Sequence, residues 1–229
     1  GGGITWDSTW ESEYREVQQK AEVLYRKQPR FQLITTGKIS QKKLLFEKQH
    51  LERLQKASRY FAFPFDEDSL RQEIEKECQS CDLHQDYRLR LSLSKSGEVE
   101  IERQVLTPLS SNFCQAKLCL QEADLQQPFT YFKTTHRPHL TVGEQEIIYH
   151  TADGKLLETS IGNLVLKMDG KLYTPPSTLV LLPGIYRQHL LESRQVEEKV
   201  LTIEDLAQAE AIYGCNAVRG LYELSVKEH

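Results

Sequence analysis

Residues 87–106 read YRLRLSLSKSGEVEIERQVL, and this stretch constrains the fold more than any other. Leu89, Leu91 and Leu93 alternate with Arg88, Arg90 and Ser92; after SKSG, Val99 and Ile101 alternate with Glu98, Glu100 and Glu102. A side-chain period of two belongs to strands with one dry face. The polar SKSG between them reads as a turn, so the stretch predicts a hairpin. A hairpin with an apolar face needs a cover, and the segments upstream supply it. Residues 50–65, HLERLQKASRYFAFPF, predict a helix with Leu51, Leu54, Ala57 and Tyr60/Phe61 inward, stopped by Pro64. Residues 66–81, DEDSLRQEIEKECQSC, predict a second helix, capped by Asp68 or Ser69, with Leu70, Ile74 and Cys78 on one face. FQLITTGKIS (31–40) and KKLLFEKQ (42–49) read as two extended segments. Together these make a small sheet with two helices over about residues 31–107.

The second half has a different rhythm. CQAKLCLQ (114–121) reads as a strand, and Pro128 leads through a crossover to YFKTTHRP (131–138). EIIYHTADGKLLETSIGNLVLKMDGKLYTPP then reads as strands joined by D-G turns and a tight turn at IGN. LPGIYRQHLLESR opens a helix at Pro183–Gly184. VEEKVLTIEDLAQAEAIYGC reads as a strand followed by a short helix capped at Thr202, and NAVRGLYEL as a closing strand. This is a sheet-rich unit over about residues 122–229. The fold class expected is α+β, with a cleft between a small α/β unit and a larger sheet-rich one, a common place for ligands. Upstream of both, residues 10–25 follow a helical pattern with Ser8 or Thr9 as cap and Tyr14, Val17, Ala21 and Leu24 on one face. Arg26 to Arg30 is a polar link containing Pro29.

Bulk properties narrow the function. The chain has 229 residues, 39% hydrophobic and 27% charged, enough to bury a core. A net charge of −4 argues against nucleic-acid binding by bulk electrostatics, while leaving room for a local basic pocket. There is no apolar run of membrane-spanning length and no signal peptide pattern. Of five cysteines, Cys78 and Cys81 form a C-x-x-C with no second pair beside it, which reads as helix-end packing, with no metal site expected. An odd cysteine count without an export signal fits a reducing, cytoplasmic setting.

Four residues or segments suit one small anionic cofactor. Lys133 sits behind two aromatics and before two threonines, and a desolvated lysine near other cations becomes a nucleophile toward an aldehyde. Glu158 lies at a strand end before a turn, where a carboxylate can face a pyridine nitrogen. LPGIYR exposes backbone N–H groups of Ile185 and Tyr186 at a helix start, a cradle for phosphate. Arg53, in HLERL, brings a planar donor fork suited to phosphate. Each has a plainer rival: a solvated lysine, an edge carboxylate, an ordinary helix start and an arginine on a wet helix face.

The order along the chain is H-L-x-R-L, K-T-T-x-R, E-T-x-x-G-N-L, L-P-G-I-x-R and C-N-A. It resembles the fold-type-IV pyridoxal-phosphate enzymes, the group of branched-chain and D-amino acid aminotransferases and 4-amino-4-deoxychorismate lyases, over about residues 31–220. The resemblance implies that Lys133 forms the Schiff base with pyridoxal 5'-phosphate and carries the proton. It implies that Glu158 binds the pyridine nitrogen, that Arg53, Ile185, Tyr186 and Asn216 hold the phosphate, and that Thr36 lies near the substrate edge. The opening, GGGITWDSTWESEYREVQQKAEVL, resembles the carboxyl end of chorismate-using synthases, whose E-x-x-E pattern falls on Glu13 and Glu16. The resemblances thus divide the chain into a synthase tail (1–28), a small lyase-like unit (29–113) and a large one (114–229). They imply a fusion of aminodeoxychorismate synthase component I with the lyase, turning 4-amino-4-deoxychorismate into 4-aminobenzoate and pyruvate. The partners they imply are a small-molecule substrate, the rest of the synthase, a glutamine amidotransferase subunit and a second copy in a homodimer. An aminotransferase of the same fold and a cofactor-free scaffolding domain are the alternatives. Family members carry a full helix after the lysine; here Pro138 and Gly143 leave room for a stub.

Overall fold

The computed structural model of the chain describes residues 29–121 and 128–226. The expected helix at 10–25, with Glu13 and Glu16, lies outside them. Strand β1, Leu33–Ser40, turns at Gln41 and Lys42, both left-handed (φ 50° and 59°), into β2, Lys43–Leu44. Helices α1, Glu47–Phe61, and α2, Glu67–Gln79, follow, then the hairpin of β3, Tyr87–Leu93, and β4, Val99–Val105. These four strands form an antiparallel sheet in the order β2-β1-β3-β4.

The sheet's two faces explain its place in the molecule. Leu89, Leu91 and Leu93, each about 1% exposed, pack with Leu33 and Ile39 against Leu51, Leu54, Leu70 and Ile74 of the two helices. Thr35 and Gly37 share that face, opposite Leu91 and Leu89. Thr35 Oγ1 and His50 Nδ1 of α1 lie 2.6 Å apart, and a Cβ on Gly37 would stand 2.6 Å from His50 Nε2. The glycine lets the helix lie close. Ile34, Thr36, Arg88 and Arg90 take the other face.

Several boundaries differ from the sequence reading. The extended segment expected at 42–49 shrinks to two residues, because Phe46 adopts φ 57° and releases the chain into α1 at Glu47. That helix ends at Phe61, where Ala62 turns left-handed (φ 55°), before Pro64 is reached. Tyr60, expected inward, is 60% exposed. The cap of α2 is Asp66, whose carboxylate accepts from Ser69 N at 3.1 Å, rather than Asp68 or Ser69. Cys78 and Cys81 are both buried in the helix-covered core.

The larger sheet begins with β5, Gln115–Leu120. It continues with β6, Ile147–His150, β7, Leu156–Thr159, β8, Asn163–Met168, and β9, Lys171–Thr174. Helix α3, Ile185–Glu192, and β10, Glu197–Glu198, lead to α4, Ile203–Gln208, which opens with a Thr202/Asp205 capping box. Strands β11, Ala211–Asn216, and β12, Gly220–Val226, close the described chain. The single closing strand of the sequence reading is thus the second arm of a hairpin whose first arm is AIYGCN. The order is β10-β9-β8-β11-β12-β5-β6-β7, with β7 also paired to β8. Between Lys133 and β6 the described chain has turns and no helix.

Candidate active site

Lys133 is fixed from both sides. Its carbonyl accepts from Ile34 N at 2.9 Å, and Thr135 N donates to Gln32 O at 2.9 Å, so residues 133–135 extend the small sheet beside β1. The aromatics before it dock on the end of α1: Phe132 lies 4.6 Å from Tyr60 and 5.3 Å from Phe61, ring centre to ring centre. The lysine therefore stands where the small sheet meets the larger one.

A cavity of about 690 Å³ opens there. Lys133, Arg53, Thr36, Glu158, Ile185 and Asn216, all singled out from sequence, line it together. Tyr186 is the exception. Its ring is turned against Phe46, centroids 6.0 Å apart, leaving its first-turn backbone N–H as its contribution. Four arginines that sequence reasoning did not assign, Arg88, Arg90, Arg137 and Arg219, also line the cavity. Their signals were present: Arg88 and Arg90 alternate on the polar face of β3, and Arg137 closes K-T-T-x-R.

This crowd of cations sets the electrostatics. Lys133 is lowered from 10.5 to about 7, first by burial, then by Arg53, Arg137, Arg88 and Arg90. Arg53 is lowered to about 10 by burial and Arg137; its Nη2 donates to Pro183 O at 2.7 Å, tying α1 to the loop before α3. Glu158 is 2% exposed, and burial pushes it up to about 7 against the opposing pull of Arg137. Its Oε1 accepts from Arg137 Nη2 at 3.2 Å and from Leu182 N at 3.3 Å, while among the described residues Oε2 has only a 3.5 Å contact to Arg137. The β7–β8 turn presenting Glu158 is closed by Thr159 N to Gly162 O at 2.9 Å and Gly162 N to Thr159 Oγ1 at 3.0 Å.

The same cavity is lined by backbone donors at Gly184 and Ile185. Helix α3 starts at Gly184 with no side chain capping it, so its first N–H groups lack intrahelical partners. Asn163 Nδ2 donates to Leu182 O at 2.8 Å, and a Cβ on Gly184 would fall 2.0 Å from Asn163 Oδ1. Only glycine fits there without moving the loop. Asn216 works mainly as a turn former: its Oδ1 accepts from Val218 N at 3.0 Å and Arg219 N at 2.9 Å, and its Nδ2 reaches Ile161 O at 3.4 Å.

Pyridoxal 5'-phosphate suits these residues on their own chemistry. An amine that is half neutral near pH 7 meets an aldehyde, an open helix start and Arg53 meet a phosphate, and a buried carboxylate meets a ring nitrogen. Arg90 Nε and Arg137 Nε are buried without a partner, so the cavity wall holds donors in want of acceptors.

Comparison with known proteins agrees. A structure of an amino-acid aminotransferase assigned by similarity in Mesorhizobium loti is 26% identical, with a TM-score of 0.73 over 86% of this chain and 100% of that one. A 4-amino-4-deoxychorismate lyase so assigned in Legionella pneumophila is 21% identical, with a TM-score of 0.69 over 85% and 82%, a likeness of fold. An uncharacterized protein of Haemophilus influenzae is 36% identical over 69 residues, 30% of this chain and 36% of that protein's length. The profile of the family described as Amino-transferase class IV matches residues 32–225. The chain therefore belongs to the class IV aminotransferase family of fold-type-IV, pyridoxal-phosphate-dependent enzymes.

Proposed function

We propose that this chain is a lyase that splits 4-amino-4-deoxychorismate into 4-aminobenzoate and pyruvate. The observation that carries the reading is the cavity, which Lys133, lowered to about 7, lines together with Arg53, the buried Glu158 and the uncapped start of α3. Pyridoxal phosphate, when bound, supplies the electron sink for a negative charge at the carbon bearing the substrate's amine.

The chain's own residues do the rest. Arg53 and the N–H groups of Ile185 and Tyr186 hold the phosphate, and the Asn216 turn shapes the wall beside them. Glu158, whose Oε2 is the less engaged of its oxygens, would hold the ring nitrogen. Lys133 would hold the cofactor's aldehyde carbon through Nζ, and its free amine would take the proton from the amine-bearing ring carbon of the substrate. The C–O bond to the three-carbon side chain then breaks, its electrons leaving as the pyruvate enolate, which collects a proton as the ring becomes aromatic. Thr36 lines the cavity opposite Arg90 in the sheet register, at the substrate edge. Positioning and proton handling are the protein's share, since aromatisation supplies the driving force.

On this reading residues 1–28 are the tail of the synthase domain that makes the substrate, served by a glutamine amidotransferase subunit in the cytoplasm, and the lyase works as a homodimer. A second reading, an aminotransferase, is favoured by the Mesorhizobium loti relative, which is matched along its whole length. The test is to mix the purified protein with pyridoxal phosphate and then with the substrate. The lyase reading expects a visible absorption band that Lys133→Ala loses, and pyruvate release without an added keto acid. Turnover that needs a keto acid favours the aminotransferase; a wild type with no band rejects both.

A further inference from the structure

Resting on that reading of the cavity, we infer that Glu146 is a positioning residue: through the hydroxyl of Ser160 it fixes the β7–β8 turn, and with it the aim of Glu158 and Asn163 at the two ends of that turn. Glu146 immediately precedes β6 and is fully buried. It does not line the cavity, and the proposed chemistry does not use it. Among the described residues no basic side chain bonds to its carboxyl group; two hydroxyls do. Ser160 Oγ donates to Oε1, and Tyr222 OH donates to Oε2 at 2.9 Å. A buried carboxyl group is costly without such donors, and deleting one leaves an oxygen with nothing to replace it.

The group that does the fixing is itself held. Glu146 N donates to Phe113 O at 3.0 Å, and its carbonyl accepts from Lys117 N at 3.0 Å, so its backbone is tied to β5 and to the segment before it. Tyr222 reaches the carboxyl group because two glycines make room. Gly214 stands directly opposite Tyr222 in the β11–β12 register, and a Cβ there would fall 2.4 Å from the phenol ring. A Cβ on Gly162, inside the turn, would fall 3.1 Å from the Tyr222 oxygen. Burial, and then Glu146, push the phenol well above its ordinary range, so Tyr222 stays a donor at any working pH.

The turn held in this way belongs to the cavity. Ser160, Ile161, Gly162 and Asn163 all line it. Glu158 enters the turn and Asn163 leaves it, and Asn163 binds the Leu182 carbonyl just before α3. Ser160 N also donates to Ile147 O at 3.0 Å, so the serine is joined to the Glu146 segment by main chain and side chain alike. A turn without the hydroxyl bond would let Glu158 swing from Arg137 and the Leu182 N–H, which costs turnover more than it costs the fold.

Hydrogen exchange on the cofactor-free protein, paired with steady-state turnover of the loaded protein in whichever reaction wild type performs, tests this. In Ser160→Ala the Gly162 amide, which donates to Thr159 Oγ1, should exchange about tenfold faster or more, while the β3–β4 amides keep their wild-type rates. kcat should fall about tenfold to a hundredfold, with KM within about threefold. Glu146→Gln, which keeps the size and one acceptor, should fall between. Thr174→Val is the structural control: it deletes a similarly buried hydroxyl bond, to Leu164 O at 2.7 Å, outside the cavity lining, and kcat should stay within about threefold of wild type. Gly162 exchange within twofold of wild type in Ser160→Ala, exchange that rises equally across β3–β4, or a kcat loss no larger than that of Thr174→Val overturns the positioning role. The exchange arm needs no cofactor, so it decides the tether even where Lys133 forms no band, and the two readings fail separately.

Discussion

The reactivity of Lys133 toward an aldehyde should follow a titration near neutrality. A lysine at its ordinary 10.5 is neutral in only about 3 molecules in 10,000 at pH 7; one lowered to about 7 is neutral in about half, a gain of roughly 1,500-fold in the reactive form. The assay is the rate at which the visible band appears when cofactor-free protein meets pyridoxal phosphate, from pH 5.5 to 9.5. The rate should climb about tenfold per unit at the acid end, bend near 7 and be flat above about 8.5. Glu158 titrates in the same range and feels Lys133, so the bend belongs to the pair. Removing one cation should move it upward, as in Arg137→Gln. Stability carries the same signature. The unfolded lysine holds its proton up to about 10.5 and the folded one only to about 7, so the folded state binds fewer protons between those values. This group's contribution to stability therefore rises with pH across that window and is level outside it. A rate still climbing tenfold per unit between pH 8 and 9.5 would refute the reasoning, because it would mean that the amine is an ordinary solvated one.

Two further substitutions probe the rest of the cavity lining. Glu158→Gln keeps a buried polar group but cannot hold a charge against the ring nitrogen; the band should survive while turnover falls on the order of a hundredfold to a thousandfold, read as pyruvate release. Gly184→Ala would drive a methyl group to 2.0 Å from Asn163 Oδ1, shifting the start of α3. Cofactor affinity should drop about tenfold in a spectroscopic titration, with a stability loss of roughly 1–3 kcal/mol in urea.

Much of this was legible in the chain because local chemistry and tertiary demands agree there. The hairpin at 87–105 announces itself because one face must be leucine and the other polar. The start of α3 is written in Pro183–Gly184, and Thr202 with Asp205 spells the capping box of α4. The errors fall where backbone geometry decided without a sequence mark. Phe46 and Ala62, neither a usual left-handed residue, set both ends of α1. β11 was hidden because AIYGCN is too short to show a period, and only its pairing with β8 and β12 makes it a strand. The site was half legible. Lys133, Glu158 and Arg53 carry motifs, whereas Arg88 and Arg90 reach the cavity because the fold turns the polar face of the small sheet inward, and Arg219 reaches it from the turn between β11 and β12.

The two chemistries open to this cavity part after a shared first step. In each, Lys133 would take a proton from the carbon that bears the amine. An aminotransferase must then return a proton and later accept a keto acid in the same place, so its site binds and releases two substrates in turn. A lyase substrate carries its own exit, because expulsion of the three-carbon side chain makes an aromatic ring and cannot easily reverse. The protein then need only hold both carboxylates so that the C–H and C–O bonds lie across the ring in position to break. Arg88 and Arg90, which line the cavity with a lysine that is already half deprotonated, offer carboxylate donors for either task, so the two are told apart by turnover. The discriminating measurement is a comparison on one preparation: pyruvate from 4-amino-4-deoxychorismate without keto acid, against turnover of an amino acid with one. If the amino acid turns over faster, the assignment moves to the aminotransferase.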